Sequence, residues 1–154
     1  MRLLGVLLTL FALNAPLAAQ ESFPALTGRV VDQAGMLDTQ VEVQLTRMLA
    51  GHEQATGEQV VVVTIPGLGG RSIEEYGVEL GRHWGIGQRG EDNGALLIIA
   101  QEDRRLRIEV GYGLEDRLTD AQAAMIINGI ITPAFRQGQF QQGILRGMSS
   151  SRSI

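Results

Sequence analysis

The 154-residue chain has no cysteine and no lysine. Without cysteine there is no disulfide framework and no thiolate metal site, which removes structural zinc. A domain of this composition in an oxidising compartment is held by packing alone. The 13 basic residues are all arginine and are outnumbered by 17 acidic ones, for a formal net charge of −4. That balance excludes a general nucleic-acid binder. The densest basic group, Arg104, Arg105 and Arg107, reads as the solvated side of a strand. Long apolar runs are also missing after the N-terminus, where Leu3–Leu13 falls short of the roughly 20 residues a spanning helix needs. No transmembrane helix is therefore expected in the mature chain. No internal repeat, no nucleophile-elbow serine and no thiol is present, so nucleophilic catalysis lacks its usual groups.

Arg2, the apolar run and the small pair Ala18-Ala19 have the order of a secretory signal. Residues 1–19 are read as that signal, 20–27 as a linker, 28–148 as a single domain and 149–154 as a disordered tail. The mature protein is expected to be periplasmic or secreted.

Within the domain, Arg29–Asp32 suits a short first strand. Thr39-Gln-Val-Glu42 has the capping-box pattern that opens a helix, with Leu37, Val41, Leu45, Met48 and Leu49 on one face and a stop near Gly57. Val60–Ile65 is β-branched and fits a central strand. A second capping box, Ser72-Ile-Glu-Glu75, starts a helix that directs Ile73, Tyr76, Leu80 and Trp84 at the sheet. Ala95–Ala100 is continuously apolar, as in a strand buried on both faces, whereas Leu106, Ile108 and Val110 alternate with Arg107 and Glu109. Thr119-Asp-Ala-Gln122 opens a third helix that Pro133 interrupts, and Phe135, Phe140, Ile144 and Met148 suggest a short terminal helix. Strand, helix, strand, helix, hairpin, helix, helix implies the α/β class: a three-layer α/β/α sandwich with a small mixed β-sheet.

If Gln101–Arg105 reverses the chain, the residues before Ala95 and after Val110 return to one edge of the sheet. That edge would gather Asp92, Asn93, Glu115, Asp116 and Asp120, with Asp32 joining if its strand runs parallel to Ala95–Ala100. Carboxylates and an amide carbonyl are the hard oxygen donors that calcium and magnesium take. Asp92, Glu115 and Asp120 form the core of this candidate divalent-cation site, calcium ahead of magnesium, and their order in the chain fits no EF-hand. Each residue also has a plainer use. Asp120 favours a helix N-terminus, Asp92-Asn93-Gly94 is good turn chemistry, and Asp32 can cap its own loop. Gly85-Ile-Gly-Gln-Arg-Gly90 satisfies G-x-G-x-x-G with helix and strand in the wrong order for a nucleotide, so none is expected. Pro66-Gly-Leu-Gly-Gly-Arg-Ser72 has the context for an anion at a helix start, and ordinary strand-to-helix turn chemistry is the preferred reading of it. His52 and His83 lack partners at a readable spacing and are expected to be solvated or satisfied.

Seven separated segments, Val31–Leu37, Thr56–Val63, Trp84–Gly87, Asp92–Leu97, Glu109–Glu115, Leu118–Gln122 and Pro133–Gly138, together resemble the TPM domain family. That family includes thylakoid-lumen phosphatase-like, photosystem-repair and receptor-modulator proteins. The resemblance implies an extracytoplasmic domain, often with a divalent cation on the acidic edge, and acid-phosphatase activity in some members. Two functions follow as expectations. One is an accessory module that contacts an envelope or membrane protein complex; the other is a weak metal-dependent phosphatase acting on phosphate monoesters, its cation polarising the phosphoryl group while Asp92 or Glu115 accepts a proton.

Overall fold

The computed structural model describes residues 23–151; the expected signal and the first part of the linker lie outside them. Strands β1 (Val30–Asp32), β2 (Gln59–Ile65), β3 (Gly94–Ala100) and β4 (Arg105–Val110) form one sheet in the order β1-β2-β3-β4. The first three run parallel and β4 returns antiparallel to β3, giving the expected mixed sheet. Every residue of β3 is buried, because helices cover both faces and strands flank both edges.

Side-chain alternation divides the core in two. Val62, Leu97, Ile99 and Ile108 pack on one face with Leu45 and Leu49 of α1 (Thr39–Thr56), Ile126 and Ile131, and Ile144 and Met148 of α5 (Phe140–Ser151). Val61, Val63, Leu96 and Ile98 pack on the other with Ile73 and Leu80 of α2 (Ile73–Trp84). Each fully buried aliphatic side chain contributes about 1.5–3 kcal/mol, so the two half-cores account for the sandwich. The connections through α1 and α2 step the same way across the sheet, yet their helices cover opposite faces. The two crossovers therefore have opposite hands, and one of them departs from the right-handed rule for parallel strands.

Local chemistry sets the element ends. Asp38, one residue before the expected cap, caps α1 by accepting the Val41 N–H at 2.9 Å; an ionised carboxylate there also meets the positive end of the helix dipole. Gly57, at φ 78°, ends α1 in the left-handed conformation. Thr119 and Gln122 form a full capping box at the start of α3 (Asp120–Ile126). Pro133 does not break the chain's helical course as expected. The backbone widens into a π-turn over Ile127–Ile131 and continues as α4 (Thr132–Arg136), which places the proline in a first turn where its missing N–H costs little.

Two expected irregular segments are ordered by packing. The end of the linker lies across α2: the Phe23 ring stands 5.3 Å from Tyr76 and 5.2 Å from His83, and the Trp84 indole donates to the Pro24 carbonyl. The expected tail beginning at Ser149 is helical through Ser151, because buried Met148 anchors the last turn and the Ser151 hydroxyl donates to its carbonyl.

Candidate functional site

The sheet has two ends with different loops. At the N-terminal ends of β2 and β3 lie the α1–β2 junction, the Gly85–Asn93 connection and the segment after β4, which begins with a 3₁₀ turn at Tyr112–Leu114. This is the acidic edge anticipated from the hairpin. The Gly113 N–H donates to the Asp92 carbonyl at 3.1 Å, so the Asp92 and Glu115 loops do lie side by side. Glycine makes that approach feasible: a Cβ on Gly113 would stand 1.9 Å from the Glu91 carbonyl oxygen, and one on Gly111 would stand 2.2 Å from that of Asp92.

Asp32 does not belong to this edge. Parallel pairing sends the C-terminal end of β1 to the opposite end of the sheet, where Asp32 aligns with Thr64 and, through it, Ile99. Ile99 is about 20 Å along β3 from Asp92. Asp32 instead organises its own loop, accepting the N–H groups of Met36 and Leu37 at 2.9 Å each and the Thr64 hydroxyl at 2.5 Å.

Asn93 is at the edge but is a structural staple, 8% exposed. Its Oδ1 accepts from the Gln88 N–H at 2.7 Å, and its Nδ2 donates to the Gly57 carbonyl and the Glu91 carboxylate. The amide oxygen offered as a cation donor is thus engaged in joining the end of α1 to the start of β3. Asp92, Glu115, Asp116 and Asp120 are exposed, and their side chains make no hydrogen bond or ion pair among the described residues. No three His, Asp or Glu side chains there converge as a cation cage would require. The residues therefore do not fit a preformed divalent-cation site.

A different constellation, missed in the sequence, lies just beneath. Glu58 is 8% exposed, yet it bridges two bases: Oε2 lies 2.8 Å from His52 Nε2, and Oε1 accepts from the Arg117 guanidinium. The trio borders a cavity of about 80 Å³ whose other wall is Leu97, Ile108, Leu114 and Met148. Arg117 sits two residues beyond Glu115, so the buried carboxylate clamps the acidic loop to the domain. The only cue in the sequence was a histidine in the last turns of α1 six residues before a glutamate, a separation bridged only because Gly57 turns the chain back.

The remaining features are occupied or open surface. Arg71, in the loop considered for an anion, pairs with Glu79 and lies 5.8 and 5.6 Å from the Phe23 and Tyr76 ring centroids. Gly85 is the left-handed cap of α2. Beside it an open groove of about 840 Å³ runs along the acidic edge, bordered by Arg82, Arg89, Asp92, Glu109 and Tyr112. Tyr112 is 82% exposed at its rim, and Met125 of α3 is 70% exposed.

Fold and loop edge together define a single α/β/α domain with an exposed acidic edge. The chain belongs to the TPM domain family, whose model matches residues 30–153. It is similar to the N-terminal domain of a protein from P. gingivalis, with 33% identity over 82% of this chain and 81% of that one and a TM-score of 0.77. An N-terminal domain from Corynebacterium glutamicum (19% identity, 87% and 84% coverage, TM-score 0.66) and a protein of the psychrophilic bacterium Bizionia argentinensis (20%, 76% and 79%, 0.66) share the fold. No curated protein matches the chain.

Proposed function

We propose that this TPM domain is an extracytoplasmic accessory module that binds a protein of the cell envelope through its acidic edge, without turnover. The observation that carries this reading is the groove beside Tyr112. It is open, mixed in polarity and rimmed by an almost fully exposed tyrosine on a turn that glycine contacts and the Glu58 clamp hold in place. Tyrosine supplies large amphipathic contact area at low entropic cost and is enriched at recognition surfaces. A fixed turn presents it preorganised. Metal-assisted hydrolysis asks for a different arrangement, with ligands converging on an ion, and no group of three His, Asp or Glu side chains among the described residues does so.

A divalent cation at this edge, calcium ahead of magnesium, would require Asp92, Glu115, Asp116 and Asp120 to turn toward one another or to share the ion with a partner. The proposal rests on the groove and does not need the ion. The alternative, a weak metal-dependent phosphatase, needs that rearrangement before any chemistry. A photo-crosslinking residue at position 112, compared with one at Glu102 on the opposite edge, tests the reading in the native envelope. We expect one defined adduct from position 112 and none from 102; equal labelling from both, or none from 112, contradicts it.

A further inference from the structure

Among the described residues β4 is the terminal strand on its side of the sheet and pairs only with β3. The opposite edge, β1, is three residues long, so β4 is the longer exposed edge. The Gly111 N–H donates to the Gly94 carbonyl at 2.7 Å, which sets the phase of the ladder. In an antiparallel pair hydrogen-bonded positions alternate, so Arg105, Arg107 and Glu109 bond toward β3 while the backbone groups of Leu106, Ile108 and Val110 point outward. Those outward N–H and C=O groups have no hydrogen-bond partner among the described residues. An edge of this kind is a template for another strand.

We propose that two copies of the chain pair through β4, antiparallel, about a two-fold axis at Ile108. Side-chain charge selects both occupant and register. An axis perpendicular to the sheet keeps each face with its like, and outward backbone groups must meet outward groups. With the axis at Ile108, Leu106 faces Val110 of the second copy and Ile108 faces its own counterpart, so the outward groups of all three residues are satisfied. On the other face Arg107 lies opposite Glu109 of the second copy, and Glu109 opposite Arg107, both at non-hydrogen-bonded positions where side chains approach most closely. Sliding the axis to Arg107 sets arginine against arginine, and sliding it to Glu109 sets glutamate against glutamate. Of these three registers only the one at Ile108 is free of facing like charges, and it alone sets both charged residues of each strand against an opposite charge. Arg107 already donates from Nε to Glu109 within its own strand at 2.7 Å, so pairing assembles a closed network of two arginines and two glutamates. The result is an isologous dimer with one continuous sheet. It shares Glu109 with the border of the groove beside Tyr112 but rests on the backbone edge of β4, so sedimentation and crosslinking at position 112 can fail separately.

Sedimentation velocity of residues 20–154 from low micromolar to near-millimolar concentration tests the pairing. The wild-type domain is expected to pass from monomer to dimer. Glu109→Arg should weaken the dimer by about tenfold or more, since two attractive cross-strand pairs become repulsive, and the charge-swapped Arg107→Glu/Glu109→Arg variant should restore it. Because the chain has no cysteine, register is read directly: a mixture of Arg107→Cys and Glu109→Cys chains should form an intermolecular disulfide that neither forms alone. Circular dichroism of each variant separates loss of pairing from loss of fold. A wild-type domain that stays monomeric throughout overturns the proposal and leaves the edge to a strand from another protein. A dimer indifferent to Glu109→Arg, or cross-linked equally by Arg107→Cys alone, overturns it as well.

Discussion

Replacing Gly113 by alanine should unseat the acidic loop, and the size of the effect follows from the contacts it disturbs. Gly113 is not among the glycines with positive φ, so alanine can adopt its backbone conformation and the cost is one of space. The added methyl would lie 1.9 Å from the Glu91 carbonyl oxygen. Backbone cannot rotate aside as a flexible side chain can, so the 3₁₀ turn must lift. Lifting breaks the bond from the Gly113 N–H to Asp92, worth about 1 kcal/mol. It also exposes part of buried Leu114, whose full burial is worth about 1.5–3 kcal/mol. Alanine returns about 0.4–1 kcal/mol by stiffening the unfolded chain. The net expectation is a loss of about 2 kcal/mol in urea unfolding, with faster amide exchange confined to residues 111–118. A variant within about 0.5 kcal/mol of wild type would refute the close-approach argument, since that is the range of an ordinary surface change.

Other substitutions probe the buried bridge, the Asp32 loop and two helical glycines. Glu58→Ala should cost about 2–3 kcal/mol by thermal or urea unfolding, because it strands His52 against an apolar wall; this is less than for a fully buried pair, since Arg117 is 59% exposed and solvent screens its share. Asp32→Ala removes the acceptor for two N–H groups and a hydroxyl and should cost about 2–3 kcal/mol, while calcium titration followed by amide NMR shifts should be unchanged from wild type. Two glycine replacements within helices should differ in sign in the same unfolding assay. Gly51→Ala, with open space at its Cβ position, should stabilise by about 0.5–1 kcal/mol, whereas Gly147→Ala, whose Cβ would stand 2.6 Å from the Ile131 side chain, should destabilise by about 1–2 kcal/mol.

Periodicity made most of the architecture readable. The unbroken apolar run at Ala95–Ala100 and the alternation at Leu106–Val110 correspond to a central strand and an edge strand, because burial on two faces or one leaves those patterns directly in the residues. Chain reversal at Gln101–Arg105 also brings the Asp92 and Glu115 loops to one end of the sheet, as the pattern of the two strands implies. Asp32 escaped the same reasoning for a topological reason: parallel neighbours put their C-terminal ends together, so the condition thought to bring Asp32 to the acidic edge carries it to the far one. Asn93 could not be read as a staple, because its partners at Gly57 and Gln88 come from segments joined only in three dimensions. The Glu58 bridge was hidden likewise, since Arg117 is remote in sequence from Glu58. Pro133 misled through a local rule that holds for a regular helix and fails where a π-turn supplies the extra residue.

We propose that the acidic edge recognises a partner and turns nothing over. Steady-state hydrolysis of p-nitrophenyl phosphate by the mature domain, with calcium, with magnesium and with chelator, tests it most directly. Rates equal to the buffer blank are expected in all three, and equal again for a variant carrying Asp92→Asn, Glu115→Gln and Asp120→Asn. Metal-dependent turnover that chelator abolishes and the triple variant loses would contradict it and establish the edge as a catalytic centre.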